Sequence, residues 1–180
     1  MGRLRCQTVG CLINILVYAS MLDMSRHHSM LDCEPGVTRL FGEADIATQG
    51  LISGWSDPEE GHNWNDGPEA ICVLSTKPPV TRLLLVLMGE PYVSRARPLQ
   101  DVTLFGNGYR LGYWRLSVRA ETALMVALEP EWWLTRGPRA ILRLHVHVPN
   151  SIRPKDINDG PDGRELALCC RSICLRPISV

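Results

Sequence analysis

From about Gly36 onward the chain is a succession of short apolar runs broken by Gly, Pro, Asn and Asp, the punctuation of strands and turns. The runs predict strands over 70–74, 81–88, 101–105, 109–118, 140–148 and 165–175. Between them, Lys77-Pro78-Pro79, Gly89-Glu90-Pro91, Gly106-Asn107-Gly108, Arg136-Gly137-Pro138 and Asn158-Asp159-Gly160-Pro161-Asp162-Gly163 each supply a residue that takes positive φ or blocks a ladder. Phe105-Gly106-Asn107-Gly108-Tyr109 is the strongest hairpin signal: a type I′ turn centred on Asn107-Gly108, with Gly106 leaving room for a bulge.

Alternation sharpens the reading. In 142–148, Leu142, Leu144, Val146 and Val148 point one way, while Arg143, His145 and His147 point the other, as in a half-buried strand. The run 83–88 is apolar on both faces and suits a strand covered on both sides. The run 121–128 has helical propensity and is the one candidate exception. With no internal repeat or low-complexity tract, the pattern predicts an all-β fold, an antiparallel two-sheet β-sandwich of jelly-roll-like form.

Upstream the pattern differs. Arg3 and Arg5 precede an apolar run over 9–22, the order of a signal sequence, with Val17 and Ala19 as small residues before a cleavage point. Asn14 interrupts the run, which is short for a membrane span. Three readings stand: a cleaved signal, a short N-terminal helix packed on the domain, or a leader. Ser25-Arg26-His27-His28-Ser29 reads as a polar linker whose histidine pair has no third metal ligand nearby. The expected organisation is 1–35 as leader and linker and 36–180 as the sandwich.

Composition narrows the partners. A length of 180 residues suits one domain, and 19 basic against 19 acidic side chains give no net field, which argues against nucleic acid. Seven cysteines, two of them adjacent, form no metal array or disulfide framework, so they read as small apolar residues carrying free thiols, with one or two bridges left open for an exported chain. Cys170 and Cys174 on one strand would stand about 13 Å apart, too far for a bond unless a bulge intervenes.

The densest chemistry lies in 54–70, where Trp55 and Trp64 stand among Asp57, Glu59, Glu60, His62, Asp66 and Glu69. Indoles offer flat apolar faces and the polar groups directional hydrogen bonds, the combination a sugar ring requires. Trp55, Glu59, His62, Trp64, Asp66 and Glu69 are therefore the candidate ligand-binding residues; in the competing reading both indoles plug the end of the sandwich. A glycosidase would need two carboxylates about 5–10 Å apart, which sequence does not establish, and no Gly-x-Ser-x-Gly elbow occurs, so the chain reads as non-catalytic. His145 and His147 share a strand face and would need an acid from a neighbouring strand to hold a metal; a solvated polar face is the expectation, with no metal assigned. The run 156–163 has the look of a calcium loop, but it lacks one spacer and Ala167 stands where the bidentate Glu belongs. No cofactor is assigned, and calcium alone is left open. In Trp132-Trp133 one ring caps the core and the other is available to a partner.

The order of the tryptophan-rich opening, Gln100-Asp101-Val102-Thr103-Leu104-Phe105-Gly106-Asn107-Gly108, Val148-Pro149-Asn150-Ser151 and Gly163-Arg164-Glu165-Leu166-Ala167-Leu168 resembles a bacterial β-sandwich accessory domain of unknown function, found appended to membrane glycosyltransferases and other polysaccharide-biosynthesis proteins. The resemblance covers roughly 40–177; Gly61-His62-Asn63 departs from it where a second aromatic is usual. It implies a carbohydrate-binding or glycan-positioning module on the extracytoplasmic side or at the membrane, with a cytoplasmic setting as the other case. Its expected partner is a glycan or a membrane glycosyltransferase, with no membrane span of its own. The alternative is a protein-interaction domain that docks onto such an enzyme or self-associates.

Overall fold

Burial alternates residue by residue along the strands at the centre of the molecule. Leu142, Leu144 and Val146 are fully buried while Arg143, His145 and His147 are only half-buried, and Val102 and Leu104 are buried between half-exposed neighbours. This period of two places one face of each strand in a common core. The computed structural model describes residues 30–43, 46 and 49–178. The signal-like run, the candidate N-terminal helix and the His27-His28 pair lie outside the described residues.

The strands are β1 (Leu31–Asp32), β2 (Thr38–Leu40), β3 (Leu51–Ser53), β4 (Asn63–Asp66), β5 (Glu69–Thr76), β6 (Leu83–Pro91), β7 (Gln100–Gly106), β8 (Tyr109–Leu116), β9 (Thr122–Leu128), β10 (Leu134–Arg136), β11 (Arg139–His147) and β12 (Leu166–Pro177). They form two sheets, as the alternation predicts. One has seven strands in the order β1-β5-β11-β7-β8, with β10 also on β11 and β3 on β5; the other has five, in the order β2-β12-β6-β9, with β4 also on β12. Among the described residues, the strands pair antiparallel except β1 with β5. The fold is a jelly-roll-like β-sandwich.

Between the sheets Leu74, Leu104, Leu142 and Leu144 from one side meet Leu85, Leu87, Leu124 and Leu168 from the other, all fully buried. Each such side chain contributes about 2 kcal/mol on leaving water. A smaller cluster of Trp64, Tyr92, Leu166 and Cys169 closes one end. Leu31 and Cys33 are also fully buried, and Arg139 ties β1 down by reaching Asp32, Glu34 (2.9 Å) and Ser75 Oγ (2.9 Å). The described sandwich therefore takes in residues upstream of Gly36.

One expected element is corrected. Residues 122–128 of the run 121–128 form the edge strand β9, not a helix, and pair with β6 from Leu83↔Leu128 to Gly89↔Thr122. Its helical propensity is outweighed because Leu124 and Leu128, four apart, also lie on one face of a strand, where they reach the core between the sheets. The Asn107-Gly108 turn has positive φ at both residues, 49° and 88°, as type I′ requires. The bulge lies elsewhere than expected, between Leu104 and Phe105, where Leu111 is the extra residue on β8. Gly106 serves close approach instead: a Cβ there would meet Leu111 and Leu142 at 2.9 Å.

The five described cysteines, Cys33, Cys72, Cys169, Cys170 and Cys174, are buried and free. A bulge does separate Cys170 from Ser172, yet Cys170 and Cys174 stay buried and unbonded. No helix among the described residues is long and apolar enough to cross a membrane.

Candidate functional site

The tryptophan-rich stretch folds into a loop and short strand that return to β5. At Gly54, with φ of 73°, a Cβ would lie 1.8 Å from Glu69 O, so only glycine lets the loop close there. Ser56 N–H donates to Trp64 O (2.9 Å), and Trp64 N–H to Ser56 Oγ (2.9 Å). Asn63 is fully buried, accepting from Gly42 N–H (2.8 Å) and donating to Ser56 O (3.0 Å). Glu59 and His62 exchange backbone hydrogen bonds across a tight turn.

Both indoles are committed to packing. Trp55 lies against Phe41 at 5.3 Å between ring centres, and its N–H donates to Ile71 O (2.8 Å), where the β3–β5 register shifts. Trp64 is 8% exposed, with His62 and Tyr92 edge-on to it. The acids nearby are also engaged. Glu59 pairs with Arg164 (2.5 Å), Arg164 chelates Asp162, and Asp66 accepts from Glu165 N–H (3.0 Å). Hydrogen bonds from Arg164 hold the Asp162 carboxyl below the usual carboxylate range. In the calcium-like run, Asp159 accepts from Tyr92 Oη (2.7 Å).

Of the six candidate residues, the structure gathers Glu59, His62 and Trp64 at one end, places Trp55 and Asp66 in the loop's own framework, and sends Glu69 elsewhere. Glu69 opens β5 directly across from His147 on β11, on the outer face of the seven-stranded sheet. One carboxylate oxygen lies 3.7 Å from His145 Nε2 and the other 3.6 Å from His147 Nδ1. All three ligand atoms fall within 4.8 Å of one another, the arrangement of two imidazoles and a neighbouring-strand acid that a metal would need. They line a depression of about 320 Å³ with Phe105, Gly108 and Arg143. Burial lowers the His145 pKa; Glu69 opposes that shift, and Arg143 and His147 reinforce it.

The same face carries aromatic surface that the sequence did not single out. The register sets Phe105 opposite both His145 and Arg110, and Thr103 opposite both His147 and Tyr113. Phe105 lies 5.7 Å from the His145 ring, and the Arg110 guanidinium sits 5.6 Å above the exposed Tyr113 ring. Tyr113 Oη donates to Asp101 (2.5 Å), which Arg115 also holds (2.8 Å), and these bonds lower the Asp101 pKa. The available signal was the alternation Asp101, Thr103, Phe105, but aligning it with Tyr113 required the bulge. Of the Trp132-Trp133 doublet, Trp133 is core, while Trp132 stacks on exposed Tyr109 at 5.7 Å.

No protein-family model and no curated protein matches the chain. Among solved structures it is similar to BtGH115A, a family GH115 4-O-methyl-α-glucuronidase with specificity for decorated arabinogalactans (9% identity, TM-score 0.48), over 81% of this chain but only 18% of that enzyme. It is also similar to the CBM36-1 domain of a multidomain xylanase from the hindgut metagenome of Trinervitermes trinervoides (8% identity, TM-score 0.48), covering 80% of this chain and all of that domain. A third is Xyl-CBM35 in complex with a glucuronic acid containing disaccharide (12% identity, TM-score 0.36), over 78% of this chain and 86% of that one.

Proposed function

We propose that this chain is a non-catalytic carbohydrate-binding domain whose ligand lies across the outer face of the seven-stranded sheet, not over the tryptophan-rich loop. The observation that carries the reading is the exposed Tyr113 ring sharing that face with Phe105, among Asp101, Thr103, Arg110, Arg143 and His147. A ring provides stacking for the apolar face of a sugar, and flanking charged groups hydrogen-bond its hydroxyls. Engagement of Glu59, Asp66 and Asp162 in ion pairs and backbone bonds supports a binding role over acid–base chemistry. The finer placement, a glycan-handling module attached to or docked on a polysaccharide-assembling membrane glycosyltransferase, rests on the sequence resemblance alone. A docking reading is favoured at a different place, the exposed Tyr109 stacked on Trp132.

A glycan array probed with the full chain and its Tyr113→Ala, Phe105→Ala and Tyr109→Ala variants separates these readings. Selective binding lost in Tyr113→Ala and Phe105→Ala, with folding intact by circular dichroism and Tyr109→Ala unaffected, is the expected result. Silence across the array, or binding indifferent to the first two substitutions, overturns the proposal.

A further inference from the structure

We propose that Glu69, His145 and His147 form a binding site for a divalent transition-metal ion of the zinc type. Three features of the site lead there. Two imidazole nitrogens and a carboxylate are the donor set that zinc and its neighbours take, whereas calcium demands six or more oxygens. The separations of 3.6 and 3.7 Å between Glu69 oxygens and the two imidazoles are too long for hydrogen bonds. Each, to its own oxygen of the carboxylate, is near the ~3.4 Å expected between neighbouring ligands of a tetrahedral ion with bonds of about 2.1 Å, and one ligand atom from each of the three residues lies within 4.8 Å of the others. Finally, His145 Nε2 is shut off from solvent and has no hydrogen-bond partner, an arrangement that costs free energy unless something meets that nitrogen.

The fold holds the ligands in place. His145 and His147 lie two apart on β11, flanked by β5 and β7, so both point outward from a strand that cannot slip without exposing its leucines. Glu69 is fixed in register opposite His147, and Phe105 flanks the His145 ring. Three protein ligands leave a tetrahedral ion one position, open to the depression beside Arg143. The Arg143 charge opposes a cation and Glu69 offsets it, so the loaded site is positive overall and its open position takes a water or anionic oxygen.

The test uses the metal alone, so it stands or falls independently of glycan binding. The full chain, stripped of metal with a chelator and kept reduced, is titrated with zinc against a chromophoric competitor; cobalt(II) then reports the ligand set by its absorption. The expected result is one zinc per chain, weakened about tenfold or more by each of Glu69→Gln, His145→Ala and His147→Ala. Arg143→Ala should tighten it about threefold by removing one partly screened like charge. The other zinc donors in the sequence are controlled by a His27→Ala, His28→Ala, His62→Ala variant, which should bind as the parent does, and by the absence of cobalt–thiolate bands. No stoichiometric binding, binding that survives all three ligand substitutions, or a thiolate spectrum overturns the assignment.

Discussion

Asn107 shows how much one side chain can carry. On one edge of β11 the ladder passes from β10, which ends opposite Ile141, to β7, which begins opposite Leu144. Asn107 fills the gap as a surrogate strand: its Nδ2 donates to Ile141 O (2.9 Å) and Trp132 O (2.9 Å), its Oδ1 accepts from Arg143 N–H (2.9 Å), and its own N–H donates to Arg143 O (3.1 Å). The turn conformation alone would be met by glycine as readily, since φ is 49°. Asn107→Gly therefore separates the two roles. If backbone conformation were what mattered, the variant would match the parent in urea unfolding; because three backbone groups lose their side-chain partner, we expect a loss of about 2–4 kcal/mol. The same residue sets where β7 and β8 cross β11, and so helps to place Phe105 beside His145.

At the scale of elements, β9 is the decisive case. A strand places Leu124 inward and Met125 outward, and Met125 is indeed largely exposed while Leu124 is fully buried. Leu124→Ala should cost about 2–5 kcal/mol by denaturant unfolding through lost transfer energy and a cavity, whereas Met125→Glu should stay within about 0.5 kcal/mol of the parent. Comparable losses from both would contradict the strand. The long strands other than β9 were legible because each carries its own evidence, either period-two alternation as in β11 or a continuous apolar run as in β6. The short strands β1 to β4 and β10 were not, since two to four residues hold no period and their pairing comes from distant partners. The site divides along the same line. His145 and His147 could be read as sharing a face, and the need for a neighbouring-strand acid followed from chemistry. That the acid is Glu69 depends on β5 pairing with β11 in one register, a contact between residues far apart in sequence. The tryptophan-rich loop was legible only as chemistry: its residue types suit a sugar, while the Trp55, Ser56 and Asn63 hydrogen bonds that hold its own fold depend on distant partners.

For the molecule as a whole, the buried thiols couple ionisation to stability. Burial is the largest cause at each: it lifts Cys33 from 9.0 to about 12 and Cys169 from 9.0 to about 11, and it raises Cys72 and Cys170 as well. Tyr92 is likewise pushed from 10.0 to about 12, chiefly by burial and its bond to Asp159. In the unfolded chain these groups release protons near their ordinary values, while in the folded chain they stay protonated. Above about pH 9 the unfolded state therefore holds fewer protons, and stability falls as pH rises until the folded values are reached. At pH 10 the loss is about 1 kcal/mol for each of Cys33 and Cys169, and Cys72 and Cys170 add to it in the same direction. Urea unfolding of the reduced chain at pH 7.5, 9 and 10 should show this decline, and Cys72→Ala should shrink the pH-dependent part by about one thiol's share even though the variant is less stable throughout. Stability that stays level from pH 7.5 to 10 would mean that these thiols reach water in the folded state, and with it that the core between the sheets is not closed around Cys72 and Cys170.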